Sequence, residues 1–142
     1  AAYIMVMTDQ NGSEQVKLCD LGIVSVLTDP SMTGTSVFLG SKHAAPWEQM
    51  TGKELDQRTD IYSAGSVMFH CLKGRPMYHR AGPEGAIVEQ MLQEPESLEL
   101  PTKDARVSAL VELVNRCIQR EPAERPADAS EVLDAIEKLP PR

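Results

Sequence analysis

The stretch "VKLCDLGIVSV", Val16 to Val26, ends a short apolar run on a carboxylate, Asp20, with Gly22 just behind it and a second apolar run following. An acid fixed at the end of a strand invites polar chemistry. Asp and Gly are also the residues of a plain turn, because Asp bonds to nearby backbone and Gly tolerates positive φ, and local grammar alone favours the turn. Further on, "TDPSMTGTSVFLGSKHAAP" carries Thr28, Ser31, Thr33, Thr35 and Ser36, hydroxyls open to phosphorylation and, taken singly, ordinary loop composition. His43 and His70 have no visible base or metal partner; His70, inside a helical apolar pattern, reads as a core or rim histidine. Cys19, Cys71 and Cys117 are odd in number, widely spaced and each set in an apolar run. They read as reduced core thiols of a reducing compartment, the cytoplasm, without metal spacing.

The elements that must position these groups follow from periodicity. Tyr3 to Met7, Val16 to Cys19 and Ile23 to Leu27 read as strands, the first two joined by the polar turn "TDQNGSEQ". Residues 28–46 hold no sustained period and read as a long loop, which in a compact domain is usually functional or mobile. After Trp47 the pattern is helical. "RTDIYSAGSVMFHCLKG" sets Ile61, Ala64, Val67, Met68, Cys71 and Leu72 at helical spacing with Lys73-Gly74 as the stop, and Ala64, Gly65 and Ser66 predict a mostly buried central helix. "GPEGAIVEQMLQEP" is a shorter helix bounded by prolines, and "VSALVELVNRCIQR" puts Val107, Leu110, Val111, Val114, Cys117 and Ile118 on one stripe. The last helix, Ala129 to Leu139, opens on a capping box from Asp128 to Glu131 and is predicted to bury Val132, Leu133 and Ile136.

The chain has 142 residues, 42% hydrophobic and 25% charged, enough for one domain with a core and too few for two. A net charge of -7 and the absence of any Lys/Arg block disfavour nucleic acid and anionic membranes as partners. The apolar runs fall short of the ~20 residues of a membrane helix. The opening "AAYIMVM", already strand-like and without an initiator Met, and the closing "EKLPPR" suggest a piece of a longer protein.

A small hairpin, a long polar loop and four to five helices make an α+β, mostly α chain. In that order, four stretches resemble the C-terminal lobe of a eukaryotic-type protein kinase domain, in the compact phrasing of its bacterial members. "VKLCDLG" is similar to the family's strand followed by Asp-Phe-Gly, with Leu21 in place of Phe. "GSKHAAPWEQMTG" resembles the end of the activation segment: Gly40 and Glu48 keep the family's separation and Ser41 stands for Thr. Ala44 replaces Tyr, Ala45-Pro46 arrives one residue early and Trp47 takes the proline position, so the loop is either remodelled or its substrate platform has partly decayed. "LDQRTDIYSAGSVMFHCLKGRPMY" resembles Asp-x-x-Ser-x-Gly on the family's buried helix, and "CIQREPAERPADASEVL" its closing signature.

The resemblance implies a partial kinase domain over 1–139, with 140–142 starting a linker. It implies that Asp20 is a magnesium ligand and, with Gly22, part of the ATP site. Ser41 would keep the hydroxyl that marks serine/threonine specificity. Asp60 would accept hydrogen bonds from the catalytic-loop backbone, where the plain alternative is that Thr59 or Asp60 caps its helix. Arg125 would pair with Glu48 and pin the loop to the helical base, where the plain alternative is a surface Arg.

The catalytic Asp and the whole upper lobe are expected upstream of Ala1. The intact parent is therefore expected to transfer the ATP γ-phosphate, with Mg2+, to Ser/Thr of protein substrates. Alone, the chain is expected to be inactive, to bind neither cofactor tightly, and to lack its upper-lobe partner. Two alternatives differ in class. A pseudokinase would fit the fall of Tyr3 near the family's metal-binding Asn, since a phenol is a poor Mg2+ ligand. An unrelated helical interaction domain would leave Glu48 and Arg125 uncoupled.

Overall fold

The computed structural model describes residues 4–19, 44–51, 53–79, 85, 88–90 and 92–141. The chain divides into two compact units, Ala1–Leu39 and Gly40–Arg142.

In the first unit, β1 (Ile4–Thr8) and β2 (Glu14–Leu18) pair antiparallel, Ile4 opposite Leu18 and Thr8 opposite Glu14. The strands run further into the polar stretch than the apolar pattern predicts, because the turn itself is tight. Asp9 Oδ1 accepts from the amides of Asn11 (2.8 Å) and Ser13 (2.9 Å), and Gly12 adopts φ 79°. A side-chain acceptor that organises the loop and a glycine in the left-handed region close a five-residue connection, residues 9–13. Met5, Val6, Met7, Val16 and Leu18 are all exposed on this ribbon. The third strand-like run, 23–27, lies outside the described residues.

The second unit carries α1 (Trp47–Met50), α2 (Gln57–Lys73), α3 (Ala105–Cys117), a 3-10 turn (Pro122–Glu124) and α4 (Ala129–Glu137). Gly85, Leu92 and residues 88–90 are helical as well. The fold is thus α+β and mostly helical. No helix among the described residues is long and apolar enough to cross a membrane.

Asp56 starts α2 by accepting from the Arg58 amide at 2.8 Å, so neither Thr59 nor Asp60 is the cap. Gly74 ends it in the left-handed conformation with its N–H on His70 O, as the Lys73-Gly74 stop predicts. The helix buries Ile61, Tyr62, Gly65, Ser66 and Phe69, one arc at 3.6-residue spacing. The expected mostly buried helix is therefore corrected: Asp60, Ala64, His70 and Cys71 are exposed, and Val67 is half-buried. The two aromatics decide the facing, because Tyr62 and Phe69 have the most apolar area to remove from water. Cys71 is accordingly not a core thiol. Cys19 is half-buried, and only Cys117 is buried, its thiol pushed up to about 11 by desolvation.

Asp104 caps α3 through the amides of Arg106 and Val107, and α3 crosses α2 where Gly65 faces Cys117. A Cβ on Gly65 would stand 2.6 Å from Cys117 Cβ, so the crossing depends on its absence. Tyr62, Phe69, Met77, Tyr78, Leu98, Val114 and Ile118 form the main core, and Ile61, Leu113 and Cys117 a second. Asn115 fixes the extended segment above α3 with its amide, accepting from Leu98 N at 2.7 Å and donating to Leu98 O at 3.0 Å.

Asp128 caps α4 through the Glu131 amide, and Glu131 reaches back to the Ala127 N–H rather than to that of Asp128. The predicted burial of α4 is corrected. Val132 and Ala135 pack on Ile61, Leu113 and Cys117, whereas Leu133 and Ile136 are exposed.

Candidate functional site: a buried arginine clamp

Pro46 stands at the N-cap of α1 in an extended conformation, φ -76° and ψ 161°, and Glu48 falls in the first turn. Seventy-seven residues later, Arg125 follows the 3-10 turn in an extended conformation. Its Nη1 donates to Glu48 Oε1 at 2.6 Å and its Nη2 to Oε2 at 3.1 Å, with side chains 0% and 3% exposed. The remaining donors go to carbonyls: Nε to Gln119, Nη1 also to Arg58, and Nη2 also to Arg120. A guanidinium has five N–H groups, and here each has an acceptor. Carbonyls 119 and 120 lie just past the end of α3, where a cation is favoured by the helix dipole. The ring of Tyr62 lies 4.7 Å from the guanidinium carbon. One buried ion thus joins the start of α1, the first turn of α2 and the end of α3.

Trp47, at the proline position of the resemblance, is held by the same carbonyl. Its Nε1 donates to Arg120 O at 3.2 Å, while the Lys53 ammonium sits 3.8 Å and the Arg120 guanidinium 5.1 Å from the ring centre. Behind Tyr62 a polar chain continues inward. Gln90 Nε2 donates to Ala45 O at 2.8 Å and to Tyr62 Oη at 3.2 Å. Burial pushes both the Tyr62 and Tyr78 phenols above their ordinary value, so both are protonated donors at any physiological pH. A shallow cleft of about 310 Å³ opens beside the clamp, lined by Glu48, Glu54, Asp56, Thr59 and Pro122.

Of the residues singled out by sequence, the fold brings Glu48 and Arg125 together. Asp60 lies in the first turn of α2, exposed, with no side-chain hydrogen bond among the described residues. Asp20, Gly22, Ser41, Tyr3, His43 and the hydroxyls Thr28, Ser31, Thr33, Thr35 and Ser36 lie outside the described residues. Sequence reasoning missed Gln90, the bonding role of Trp47, and Arg75, which grips Glu96 through two hydrogen bonds of 2.9 and 2.7 Å. Arg75 in a Gly-Arg-Pro turn was a visible signal; the partner of Gln90 was not, since it lies forty-five residues away.

Comparison with known proteins gives these contacts a setting. Residues 3–136 match the family model described as "Protein kinase domain". The chain is 30% identical over 143 residues to serine/threonine-protein kinase pkn3 of Myxococcus xanthus, covering 95% of this chain and 26% of that protein. It is 30% identical over 138 residues to serine/threonine-protein kinase A of Synechocystis sp., covering 96% of this chain and 26% of that protein. With PknF of Mycobacterium tuberculosis the identity is 32% over 98 residues, 68% of this chain and 21% of that protein. The chain therefore spans about a quarter of the length of the curated relatives it matches.

Proposed function

Since the chain belongs to the protein kinase domain family, we propose that the protein containing it transfers the γ-phosphate of ATP to serine or threonine hydroxyls of protein substrates. The family match over 134 of 142 residues carries the reading, taken as residues 3 to 136 inclusive. The serine/threonine kinases of bacteria among its relatives favour that acceptor class.

Within such an enzyme this part of the chain has several jobs. Asp20 presents a carboxylate, a hard oxygen donor suited to Mg2+, and Gly22 frees the backbone beside it. The metal, when bound, neutralises charge on the transferring phosphoryl group. Ser41 offers a hydroxyl to order the catalytic centre against the substrate platform. The Glu48–Arg125 clamp anchors the end of the activation segment, so that substrate meets a fixed surface rather than one ordered at the moment of binding. Asp60, at the start of α2, stands ready to accept backbone N–H groups of a catalytic loop supplied from outside these residues. Thr28, Ser31, Thr33, Thr35 and Ser36 are hydroxyls through which phosphate could order the segment ahead of Ser41.

The test uses the full-length protein with ATP, Mg2+ and a general protein substrate. Asp20→Asn is expected to lower kcat by at least about 100-fold while substrate binding persists, as expected for lost stabilisation of transition-state charge. Equal activity of wild type and Asp20→Asn would overturn the assignment. Wild-type protein that transfers no phosphate, under conditions where a related kinase does, would overturn the reading itself.

A further inference from the structure

We infer that Gln90 is a positioning residue that sets the backbone at Ala45, and through it the protein-substrate platform; this rests on the kinase reading above. Gln90 is 1% exposed, and its carboxamide nitrogen uses both hydrogens, one on Ala45 O and one on Tyr62 Oη. Its Oε1 has no hydrogen-bond partner among the described residues. A buried acceptor left unpaired is costly, and a methionine would fill the same space without it. What a methionine cannot do is hold the carbonyl of Ala45. That carbonyl belongs to a buried residue one position before the cap of α1, where no helical amide returns to it.

A second strap runs in parallel. Arg120 Nη1 donates to Gln90 O and Gln93 O, while Arg120 O accepts from Trp47 Nε1 and from Arg125 Nη2. Gln90 and Gln93 are thereby tied to the start of α1 by one side-chain link and one relay through Arg120. The relay reaches Trp47; among the described residues, Gln90 is the side chain that reaches the backbone at position 45. On the outward side, Val88 and Leu92 are exposed while Glu89 and Gln90 are buried. Load applied to that face passes to Ala45 through the Gln90 amide.

The test has two arms. In the 142-residue chain, native-state hydrogen exchange of Gln90→Met is read at the amides of Gln49, Thr51 and Lys53, which close α1, and at Val132 in α4 and Lys138 at its C-cap. Expected is at least about tenfold faster exchange in the first set with the second unchanged. Gln90→Asn, which keeps the amide but withdraws it by one methylene, is expected to give the same pattern, and Tyr62→Phe, which leaves the Ala45 link, is not. No change, or an equal change in both sets, overturns the inference. In the full-length enzyme, Gln90→Asn is expected to raise KM for the protein substrate several-fold, with kcat and KM for ATP unchanged. Local exchange changes with an unchanged protein KM would overturn the link to substrate while leaving phosphoryl transfer intact. A wild-type protein without transferase activity would remove the kinase reading, and the exchange arm would still decide the hold of Gln90 on Ala45.

Discussion

Truncating Arg125 would leave the Glu48 carboxylate buried without a counterion, and truncating Glu48 would leave the guanidinium in the same position. Breaking such a pair typically costs about 3–5 kcal/mol, far above the fraction of a kcal/mol expected of a surface pair. Arg125→Ala and Glu48→Ala are therefore each expected to destabilise by that amount. Their double mutant should fall well short of the sum in urea titration; additive losses would mean that the two side chains act independently. Arg125→Lys should recover little, because a lysine brings three donors where five acceptors wait. A different residue-scale prediction concerns acid. The Arg75 guanidinium holds the Glu96 carboxyl below its ordinary value, and the Ala127 amide with Arg116 does the same for Glu131. A folded value depressed below the unfolded one adds stability above the ordinary carboxylate range and loses it as pH falls through the folded value. Glu96→Gln together with Glu131→Gln should flatten that acid limb in a pH series of thermal melts by lowering its neutral end, with the acid end little changed. The Glu48–Arg125 pairing was legible through the resemblance of two short stretches. The five-fold coordination of Arg125 was not, because it depends on backbone carbonyls that carry no mark in the sequence.

At the scale of elements, α2 and α3 can approach only because residue 65 has no side chain. Gly65→Ala gains helix propensity of about 1 kcal/mol but must displace the Cys117 Cβ, which has no freedom to give. Overpacking of this kind costs about 1–3 kcal/mol, so a net loss of stability is expected by thermal melt, and a gain would place the helices further apart than described. Helix ends were readable because their chemistry is local. Gly74 stops α2 and Asp128 caps α4 as expected, and Asp56 caps α2, which removes the plain alternative of a cap at Thr59 or Asp60. Facing was less readable. In α2 apolar residues occur on several sides, so a stripe through Ala64 and Cys71 fits the period as well as the true arc through Tyr62 and Phe69. In α4 the pattern allowed Leu133 and Ile136 inside, but Val132 and Ala135 are the ones that pack on the base.

For the molecule as a whole, the two units differ in what holds them. Gly40–Arg142 has a helical core and a buried clamp, whereas the described hairpin of Ala1–Leu39 exposes apolar side chains on both faces. A two-stranded ribbon alone is marginal in water. In the isolated chain the amides of β1 and β2 should exchange orders of magnitude faster than those of α3, and the dye 1-anilinonaphthalene-8-sulfonate should bind. Val6→Thr with Val16→Thr, a cross-strand pair, should reduce that binding and raise solubility; no reduction would locate the sticky surface elsewhere. Which unit any probe reports on is a separate matter, and Trp47 answers it. It is the chain's one indole, pressed between two cations beside the clamp. Its ultraviolet emission is consequently an optical signal that originates in the helical unit. The colour and brightness of that glow follow the electric field of Lys53 and Arg120 at the α1 junction.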